Sequence, residues 1–428
     1  MIANDIKKFW DRMFLGERPS ISLSLFRIAV ALTTGFHLLP TFVPLRDTYL
    51  STALKSFNGN FFTVGAIELV QKSPDSLVIF FVALFCAAWL CFLVGLFSQI
   101  SCILMTVCCY YFYALNTFAI GQVLSWDILL VTLVLMCVVP YHGDYFSLDC
   151  LRRRDLNAYR RERPYFLQRL LQLQIAFTFF YTGLNKISAQ GNWLTDNPIY
   201  YLMNYPAAGV TKHFLFKEFL SHHPGLCYGI GIIVLSVEIA MPVLLFWRRT
   251  RVSAITLGLV FHVLLILTLD VPAIFFFLFP PQLLLFINSK KILKGIEQKR
   301  RTHQTAPAQT VIYDGQCGFC RDSVQALRVM DLWASIKLLD YHELMDLQKI
   351  HPDLEHQDLE EEIHLIETGG RVFKGFFAFR RLCWTLPMMV PLLPLFYFPG
   401  AGLLGPVIYR WIARHRYLFA RQKACVVR

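Results

Sequence analysis

Charged residues are scarce in this chain of 428 residues, since Asp, Glu, Lys and Arg make up only 16% of it. Soluble proteins carry about 25%, whereas 56% of these residues are hydrophobic. The composition excludes an ordinary soluble protein and indicates that most of the chain lies in a bilayer. Acidic residues are the rarer sign, with 29 against 41 basic residues. The basic residues cluster beside apolar segments, which favours orientation in a membrane over nucleic-acid binding.

The cysteines lack the regular spacing of a disulfide framework, although there are twelve of them. Most lie in or beside apolar segments, where cysteine behaves as a small buried hydrophobic residue. These are Cys86, Cys91, Cys102, Cys108, Cys109, Cys137, Cys150 and Cys227. A small-residue cleavage site is also lacking between the polar first 20 residues and the apolar run that follows. We therefore expect no removable signal peptide.

Eight apolar stretches approach the roughly 20 residues that a membrane span needs. If the N-terminus is inside, the inner segments hold the KK, RRR, RR, RRTR, KK and KRR clusters. This asymmetry predicts a helical bundle of about eight spans in the cell or inner membrane, with both termini cytoplasmic. The last two spans are expected to turn at residues 270–272. The predicted spans are 21–42, 77–97, 100–118, 124–141, 166–188, 226–247, 252–269 and 272–288.

The only CxxC spacing lies in DGQCGFC, residues 314–320. It follows a short apolar strand and precedes a helical pattern, so Cys317 should lie at a helix N-terminus. The helix dipole and the free N–H groups there stabilise a thiolate. Disulfide exchange then needs a nucleophile, predicted as Cys317, and a resolving thiol, predicted as Cys320.

A zinc half-site and an inert cysteine pair are the alternatives. A structural zinc site usually takes four ligands, often from two CxxC pairs. Cys383 and Cys425 are isolated in sequence, so we predict no metal.

Around this motif the order of elements is β-α-β-β-α, which predicts a small thioredoxin-like α/β domain over residues 310–428. A basic, then polar linker, 291–309, joins it to a membrane domain, 1–290. The apolar, proline-rich segment 386–412 lies on the membrane surface or packs within the domain core. The predicted elements are strands at 311–313, 336–340, 363–368 and 371–374, and a helix at 376–384.

Three segments of this tail, YDGQCGFC, RVFKGFFAFRRL and YRWIARHRY, resemble the DCC family of thiol–disulfide oxidoreductases over roughly residues 309–422. The resemblance implies a redox site made of Asp314, Cys317 and Cys320. It implies a dithiol or disulfide protein, or a small thiol, as the partner. One thioredoxin feature is missing, because no proline directly precedes the hairpin strand, where a cis-proline would face the CxxC.

Ionisable residues inside the predicted spans are candidate functional residues, because charge is costly in lipid. Glu238 and His262 lie about 14 and 15 Å from the inner ends of their spans, at 1.5 Å per residue. We predict that they face each other inside the bundle, joined by the long side chain of Arg27. A structural polar clamp is the alternative. His37, near an outer end, is expected at a solvated helix terminus.

Lys186, at the outer end of the fifth span, is typical of a snorkelling lysine. If partly desolvated, it could instead act as a base. The segments SLSLFRIAVALTTG, YFSLD, RLLQLQIAFTFFYTGLNKISAQGNW and LVFHVLLILTL resemble the HTTM superfamily over about residues 10–290. These domains are similar to vitamin K-dependent gamma-carboxylase, whose GxxK lysine deprotonates a quinol. The resemblance implies that role for Lys186, adds His262 as the FH histidine, and implies a quinone-type ligand.

Three functions compete at this point. The first is a membrane-anchored thiol–disulfide oxidoreductase, of the protein-disulfide reductase type, that passes electrons toward a quinone. The second is a carboxylase-like quinol-coupled enzyme with Lys186 as base, although no segment resembles a propeptide-binding module. The third is a non-enzymatic transport or scaffold protein in contact with lipid.

Overall fold

A computed structural model describes most of the chain. The described residues are 10–57, 64–121, 123–153, 161–188, 192–205, 210, 214–269, 274–305, 309–344, 348–352, 354 and 356–416. The predicted turn at 270–272 and Cys425 lie outside them. The chain divides into two compact units, Met1–Asp149 with Arg161–Ser289, and Cys150–Arg160 with Lys290–Arg428. They are called the membrane unit and the tail unit below.

The membrane unit is helical apart from one two-stranded clip. In the clip, β1 (Glu17–Pro19) pairs antiparallel with β2 (Glu162–Pro164). Both strands have the sequence Glu-Arg-Pro. Its α-helices are α1 (Ile21–Leu38), α2 (Leu45–Thr48), α3 (Val64–Gln71), α4 (Asp75–Val94), α5 (Ser98–Leu115), α6 (Thr117–Ile120), α7 (Val123–Cys137), α8 (Leu148–Arg153), α9 (Phe166–Ile187), α10 (Pro198–Asn204), α11 (Lys217–Ser221), α12 (Pro224–Phe246), α13 (Arg251–Thr268) and α14 (Ile274–Gln282).

Five helices of the described chain are long and apolar enough to cross a membrane: Ile21–Phe42, Asp75–Val94, Ser98–Leu115, Pro224–Phe246 and Arg251–Thr268. They coincide with five of the eight predicted spans. The first and third are 67% and 61% buried in the protein, whereas the others are 28% buried or less. The exposed positions of those three are largely apolar, which is the pattern of helix faces that meet lipid.

The three other predicted spans form helices that are shorter, interrupted by proline or more polar. The fourth becomes α7, which has 15 residues. The eighth becomes α14, with Pro280 and Pro281 inside it, followed by a 3₁₀ turn at Leu283–Phe286. The fifth becomes the 22-residue α9, whose polar side chains set it apart from the five apolar helices. The count of eight is therefore still a prediction.

The polar face of α9 has a structural reason in the broken end of α14. The chain becomes extended at Ile287, directly after the 3₁₀ turn, so the last carbonyl groups of that turn have no helical partner. Gln168 and Gln172 donate from Nε2 to the carbonyl oxygen of Leu285, at 2.5 and 2.7 Å. Arg169 in turn donates to Gln172 Oε1 at 2.8 Å. The two buried glutamine side chains thus donate hydrogen bonds to a backbone carbonyl group for which lipid offers no donor.

The tail unit contains a four-stranded mixed sheet of order β4-β3-β5-β6. Its strands are β3 (Gln309–Tyr313), β4 (Ile336–Asp340), β5 (His364–Glu367) and β6 (Val372–Lys374). β3 pairs parallel with β4 and antiparallel with β5, which pairs antiparallel with β6. Each predicted strand is present within two residues of its predicted bounds, and together they form a small α/β domain.

Besides the residues of α8 that follow Asp149, six α-helices of the described chain lie in this unit, and the first of the six begins at the last residue of the membrane unit. They are α15 (Ser289–Thr305), α16 (Gly318–Met330), α17 (His356–Glu361), α18 (Gly375–Thr385), α19 (Leu393–Tyr397) and α20 (Ala401–Arg414). The segment predicted as a linker is thus mostly the helix α15. Arg300 fixes it by donating to the carbonyl oxygens of Asp331 and Leu332, at 2.9 and 3.2 Å.

Candidate functional site: a thiol pair and a buried ion pair

The loop between β3 and α16 is held by the carboxylate of Asp314. Its Oδ1 accepts backbone hydrogen bonds from Gln316 at 2.9 Å and Cys317 at 3.2 Å. The same oxygen lies 3.0 Å from His342 Nε2. Arg416 Nη1 lies 3.9 Å from the other oxygen. Asp314 therefore orients the turn that presents Cys317, which is a more specific role than the resemblance alone implied.

A second carboxylate, Asp340 at the end of β4, closes the turn from the other side. Its Oδ1 accepts the N–H of Gly315 at 3.0 Å. A Cβ at position 315 would lie 1.7 Å from Asp340 Oδ2. Only glycine permits this approach. Asp340, His342 and Arg416 were missed as site residues, although a polar DYH at a strand end and the YRWIARHRY segment were signals for them.

Cys317 is the N-cap of α16, as predicted, and its Sγ accepts the N–H of Cys320 at 3.3 Å. The hydrogen bond from the Cys320 thiol lowers the pKa of Cys317 to about 6. Burial opposes this shift, while the Cys320 N–H and the charge of Arg416 add to it. The same hydrogen bond, together with burial, raises the pKa of Cys320. One proton shared by two sulfurs, with the anion on Cys317, describes the reduced pair.

The two sulfur-bearing residues differ in access. Cys317 is 3% exposed and is buried in the unit. Cys320 is half-buried and lines a cavity of about 520 Å³, whereas Cys317 is not part of its wall. The nucleophile predicted from sequence is thus covered, and the residue predicted as the resolving cysteine borders a cavity.

The cavity wall is dominated by aromatic and aliphatic side chains from α16, α18 and α20. Phe376 stacks on Phe396 with ring centroids 5.4 Å apart. A Cβ on Gly405 would lie 2.3 Å from the Phe376 ring, so this glycine lets the ring lie against α20. Tyr409 Oη accepts the N–H of Ile363 at 3.3 Å. Ile363 is the residue before β5, where the sequence analysis noted that proline is missing.

In the membrane unit, the structure pairs Lys186 with Glu238. Lys186 Nζ donates to both carboxylate oxygens, at 2.7 and 2.6 Å. The side chains are 22% and 7% exposed. Lys186 therefore turns into the protein, and the snorkelling interpretation is wrong. Charges buried in this way persist only when they are paired and hydrogen-bonded.

Close helix packing makes this pair possible. A Cβ on Gly183 would lie 2.9 Å from Ile239 Cγ1 and 3.5 Å from Glu238 Cβ. Small residues let helix backbones approach in this way. Lys186 follows Gly183 by about one helical turn, so its side chain lies on the same face of α9. The G and K of the GxxK motif thus set the spacing and supply the cation.

The segment after α9 covers the pair on one side. Trp193 donates its backbone N–H to the carbonyl of Lys186 at 2.8 Å, and its ring lies 5.3 Å from Lys186 Nζ. Asn197 Nδ2 donates to the carbonyl of Pro224 at 2.6 Å, which fixes α10 against the start of α12. These residues extend the site beyond the two charged side chains.

The expected cluster of Glu238, His262 and Arg27 is not formed. His262 is buried, shares a 2.7 Å hydrogen bond with the Gly258 carbonyl and stacks on Phe279. Its own helix supplies the acceptor, so its ring does not need Glu238.

Arg27 lies elsewhere in the membrane unit. It donates from Nη2 to the carbonyl of Phe146, at 2.5 Å, in the YFSLD turn. A Cβ on Gly95 would lie 1.8 Å from Arg27 Nη1, so glycine leaves room for the guanidinium. His37 is also not at a solvated terminus, because its Nε2 lies 2.9 Å from the carbonyl of Ile120. Both side chains hold backbone segments in place.

Apolar helices of membrane-spanning length and a thiol pair at a helix N-terminus together define a membrane protein with a thiol-redox domain. Residues 17–289 match the model of the HTTM domain, and because this is well over half of the chain, the protein belongs to that family. Residues 311–422 match the model of the DCC1-like thiol-disulfide oxidoreductase. Both resemblances drawn from the sequence are confirmed. No curated protein and no solved structure matches the chain significantly.

Proposed function

We propose that the protein is a membrane-anchored thiol–disulfide oxidoreductase of the disulfide reductase type, with Cys317 and Cys320 as its redox pair. The observation that carries this proposal is the Cys317 sulfur at the N-terminus of α16, with its pKa lowered to about 6. A thiolate present at neutral pH is the reactive form in disulfide exchange. Asp314 orients the turn, and the tail is a thioredoxin-like domain.

The proposal includes an orientation. Eight spans with both termini inside put the redox pair in the cytoplasm, where thiols are kept reduced. It also includes a route for electrons toward a quinone-type ligand of the membrane unit. Modification of the Cys317–Cys320 pair by a membrane-impermeant thiol reagent only after cells are opened supports this orientation. Equal modification in intact cells contradicts it.

The central test is reduction of an aromatic disulfide by the full chain in detergent, with a dithiol as the electron source. Cys317→Ser and Cys320→Ser should each abolish turnover. Cys383→Ser is the matched control, because Cys383 is a buried cysteine of the same unit outside the redox pair. A Cys317→Ser protein with full activity would remove the basis of the proposal.

A second candidate function rests on a separate observation, the buried Lys186–Glu238 pair in the GxxK motif. A quinol-coupled enzyme could use Lys186 as a base once the pair with Glu238 separates. Lys186→Ala should then abolish quinol-dependent turnover and leave disulfide reduction by the tail intact. If quinol-dependent turnover is unchanged in that variant, Lys186 is not the base, and its pair with Glu238 has a structural role only.

A further inference from the structure

One feature of the tail unit that the proposed function does not use is the cavity beside Cys320. Its volume of about 520 Å³ is that of a small-molecule site, since ligand pockets usually span about 300–1,000 Å³. Such a volume holds a small organic ligand and only a few side chains of a polypeptide.

The wall of the cavity selects an apolar ligand. Seven aromatic residues line it, among them Phe319, Phe379 and Phe398. Leu404 and Ile408 also line it and are 55% and 56% exposed, so the wall is apolar where it reaches the surface. Apolar walls with few polar groups fix the position of a ligand chiefly by excluding water.

The polar part of the lining includes Cys320, one of the two proposed redox cysteines. Cys320, Asp314 and Arg416 belong to the same wall, which also includes Ser323 and the three consecutive residues Glu360, Glu361 and Glu362. A ligand whose apolar arm fills the aromatic part can therefore present a sulfur atom to Cys320 and keep its polar end beside Arg416.

We propose that this cavity binds a small thiol or disulfide with an apolar arm, and that exchange with this substrate takes place at Cys320 Sγ. The inference rests on the proposed function and names the substrate class of the same redox pair. It assigns the attacked sulfur to Cys320, opposite to the order expected from the position of Cys317 at the helix N-terminus.

The chemistry balances as a two-electron exchange. A substrate thiolate attacks Cys320 Sγ of the oxidised pair, the Cys317–Cys320 bond breaks, and Cys317 leaves with the electron pair as a thiolate. The low pKa of Cys317 makes it the better leaving group. A second substrate thiolate attacks the substrate sulfur of the mixed disulfide. The substrate disulfide departs, and Cys320 takes the electron pair and a proton. The same steps in reverse reduce an apolar disulfide.

The test uses the full chain in detergent, with Cys317→Ala leaving Cys320 and Cys320→Ala leaving Cys317. Each variant reacts with benzyl methanethiosulfonate or with the anionic sulfonatoethyl reagent, and mass spectrometry of the peptide that contains residues 317 and 320 gives the rates. We expect Cys320 to prefer the benzyl reagent at least tenfold, and Cys317 to react slowly with both. Cys317 reacting as fast as Cys320, with the same preference, would overturn the proposal.

Two neighbouring positions on α20 supply a matched control. Ile408 lines the cavity, whereas Val407 is 58% exposed and lies outside the lining. Combined with Cys317→Ala, Ile408→Trp should remove the benzyl preference and Val407→Trp should retain it. If the two variants show the same preference for the benzyl reagent, that preference comes from partition of the reagent into detergent. This result would contradict binding in the cavity.

A competition experiment needs no variant on α20. Benzyl methyl sulfide, which cannot exchange, should slow the benzyl reagent at Cys320 at least fivefold and leave the sulfonatoethyl reagent unaffected. Absence of competition contradicts the site. Because variants that keep only one cysteine of the redox pair have no turnover, these rates are independent of the reductase test, so either proposal can fail without the other.

Discussion

Lys186 and Cys317 both lie at helix ends, but their charges are stabilised differently. Lys186 lies near the C-terminal end of α9 and pairs with the carboxylate of a neighbouring helix, at 2.6 Å. Cys317 lies at the start of α16 and relies on one neighbouring thiol, one backbone N–H and a nearby arginine. The first site is closed by its own counter-ion, whereas the second adjoins a cavity.

The two sites therefore differ in whether their charged group is available for reaction. A cation bound to a carboxylate in a protein interior has its partner already and is costly to separate. A thiolate stabilised by dipoles and hydrogen bonds keeps its nucleophilic electron pair. We therefore expect loss of one partner to damage folding in the membrane unit and chemistry in the tail unit.

The largest effect is expected from breaking the ion pair. Glu238→Ala leaves Lys186 charged and unpaired, which should destabilise the membrane unit by about 3–5 kcal/mol. The measurement is the temperature at which Cys109, which is fully buried, becomes reactive to a maleimide in detergent. Ser236→Ala, on the same helix at an exposed hydroxyl, is the control.

The double variant Lys186→Met with Glu238→Leu separates charge from packing. Replacing a buried pair by apolar residues is often neutral, so most of the lost stability should return. A double variant as unstable as Glu238→Ala would show that the pair matters for shape and not for charge.

The second effect concerns pH. Cys320→Ala removes the largest cause of the low pKa of Cys317, so that pKa should rise from about 6 toward the usual value of about 8.5. Alkylation of Cys317 at pH 6.5 should slow at least about tenfold, because less thiolate is present. Cys383→Ala should leave the profile unchanged, and an unchanged profile in Cys320→Ala contradicts the shared-proton description.

The same shift predicts how stability depends on pH. The pKa of Cys317 is lower in the folded, reduced tail than in the unfolded chain, so the folded state binds fewer protons between pH 6 and about 8.5. The contribution of Cys317 should grow as the pH rises from 6 to about 8.5 and be lost as the pH falls through 6, whereas above about pH 8.5 the raised pKa of Cys320 lowers the stability again. Urea titration of the reduced protein over this range measures it, with Cys317→Ala as the control.

A smaller effect is expected at Asp314. Asp314→Ala removes the acceptor for two backbone N–H groups, at a cost of about 1–2 kcal/mol. Hydrogen exchange of the amides at residues 316 and 317 should then accelerate about 5- to 30-fold. Asp314→Asn keeps an acceptor oxygen and should change exchange less, and equal effects would assign the role to charge.

The smallest effect is expected at Trp193, whose ring lies beside Lys186. Trp193→Leu should cost about 0.5–1 kcal/mol in the Cys109 assay, as cation–π contacts do at partly exposed sites. In the Lys186→Met, Glu238→Leu background the same substitution should cost less. An equal cost in both backgrounds would assign the effect to packing alone.

Sequence reasoning succeeded where a pattern is local. The CxxC between strand and helix placed Cys317 at the N-cap, and the apolar runs placed five long helices correctly. It failed where the partner of a side chain is remote. Depth along a helix suggested Glu238 opposite His262, but depth does not give rotation about the helix axis, and Gly183 decides which helix lies close enough.

The cavity beside Cys320 could not be foreseen for a related reason. Phe376 and Tyr409 read as ordinary apolar positions of a helix, and a cavity arises only from three-dimensional packing. The segment near Arg416 was recognised by resemblance, yet its position beside Asp314 needed coordinates.

The Lys186–Glu238 pair also has a consequence for biogenesis. The lysine is synthesised 52 residues before its glutamate, so α9 leaves the ribosome before its counter-ion exists. Glu238 lies inside the apolar helix α12, where an acidic residue alone costs about 2.5–3.5 kcal/mol on insertion scales. Because Lys186 is synthesised first, the counter-ion of Glu238 is already present when α12 arrives, and Gly183 is where the two helices fit together. Assembly of these two helices, and not insertion of each alone, completes the membrane unit.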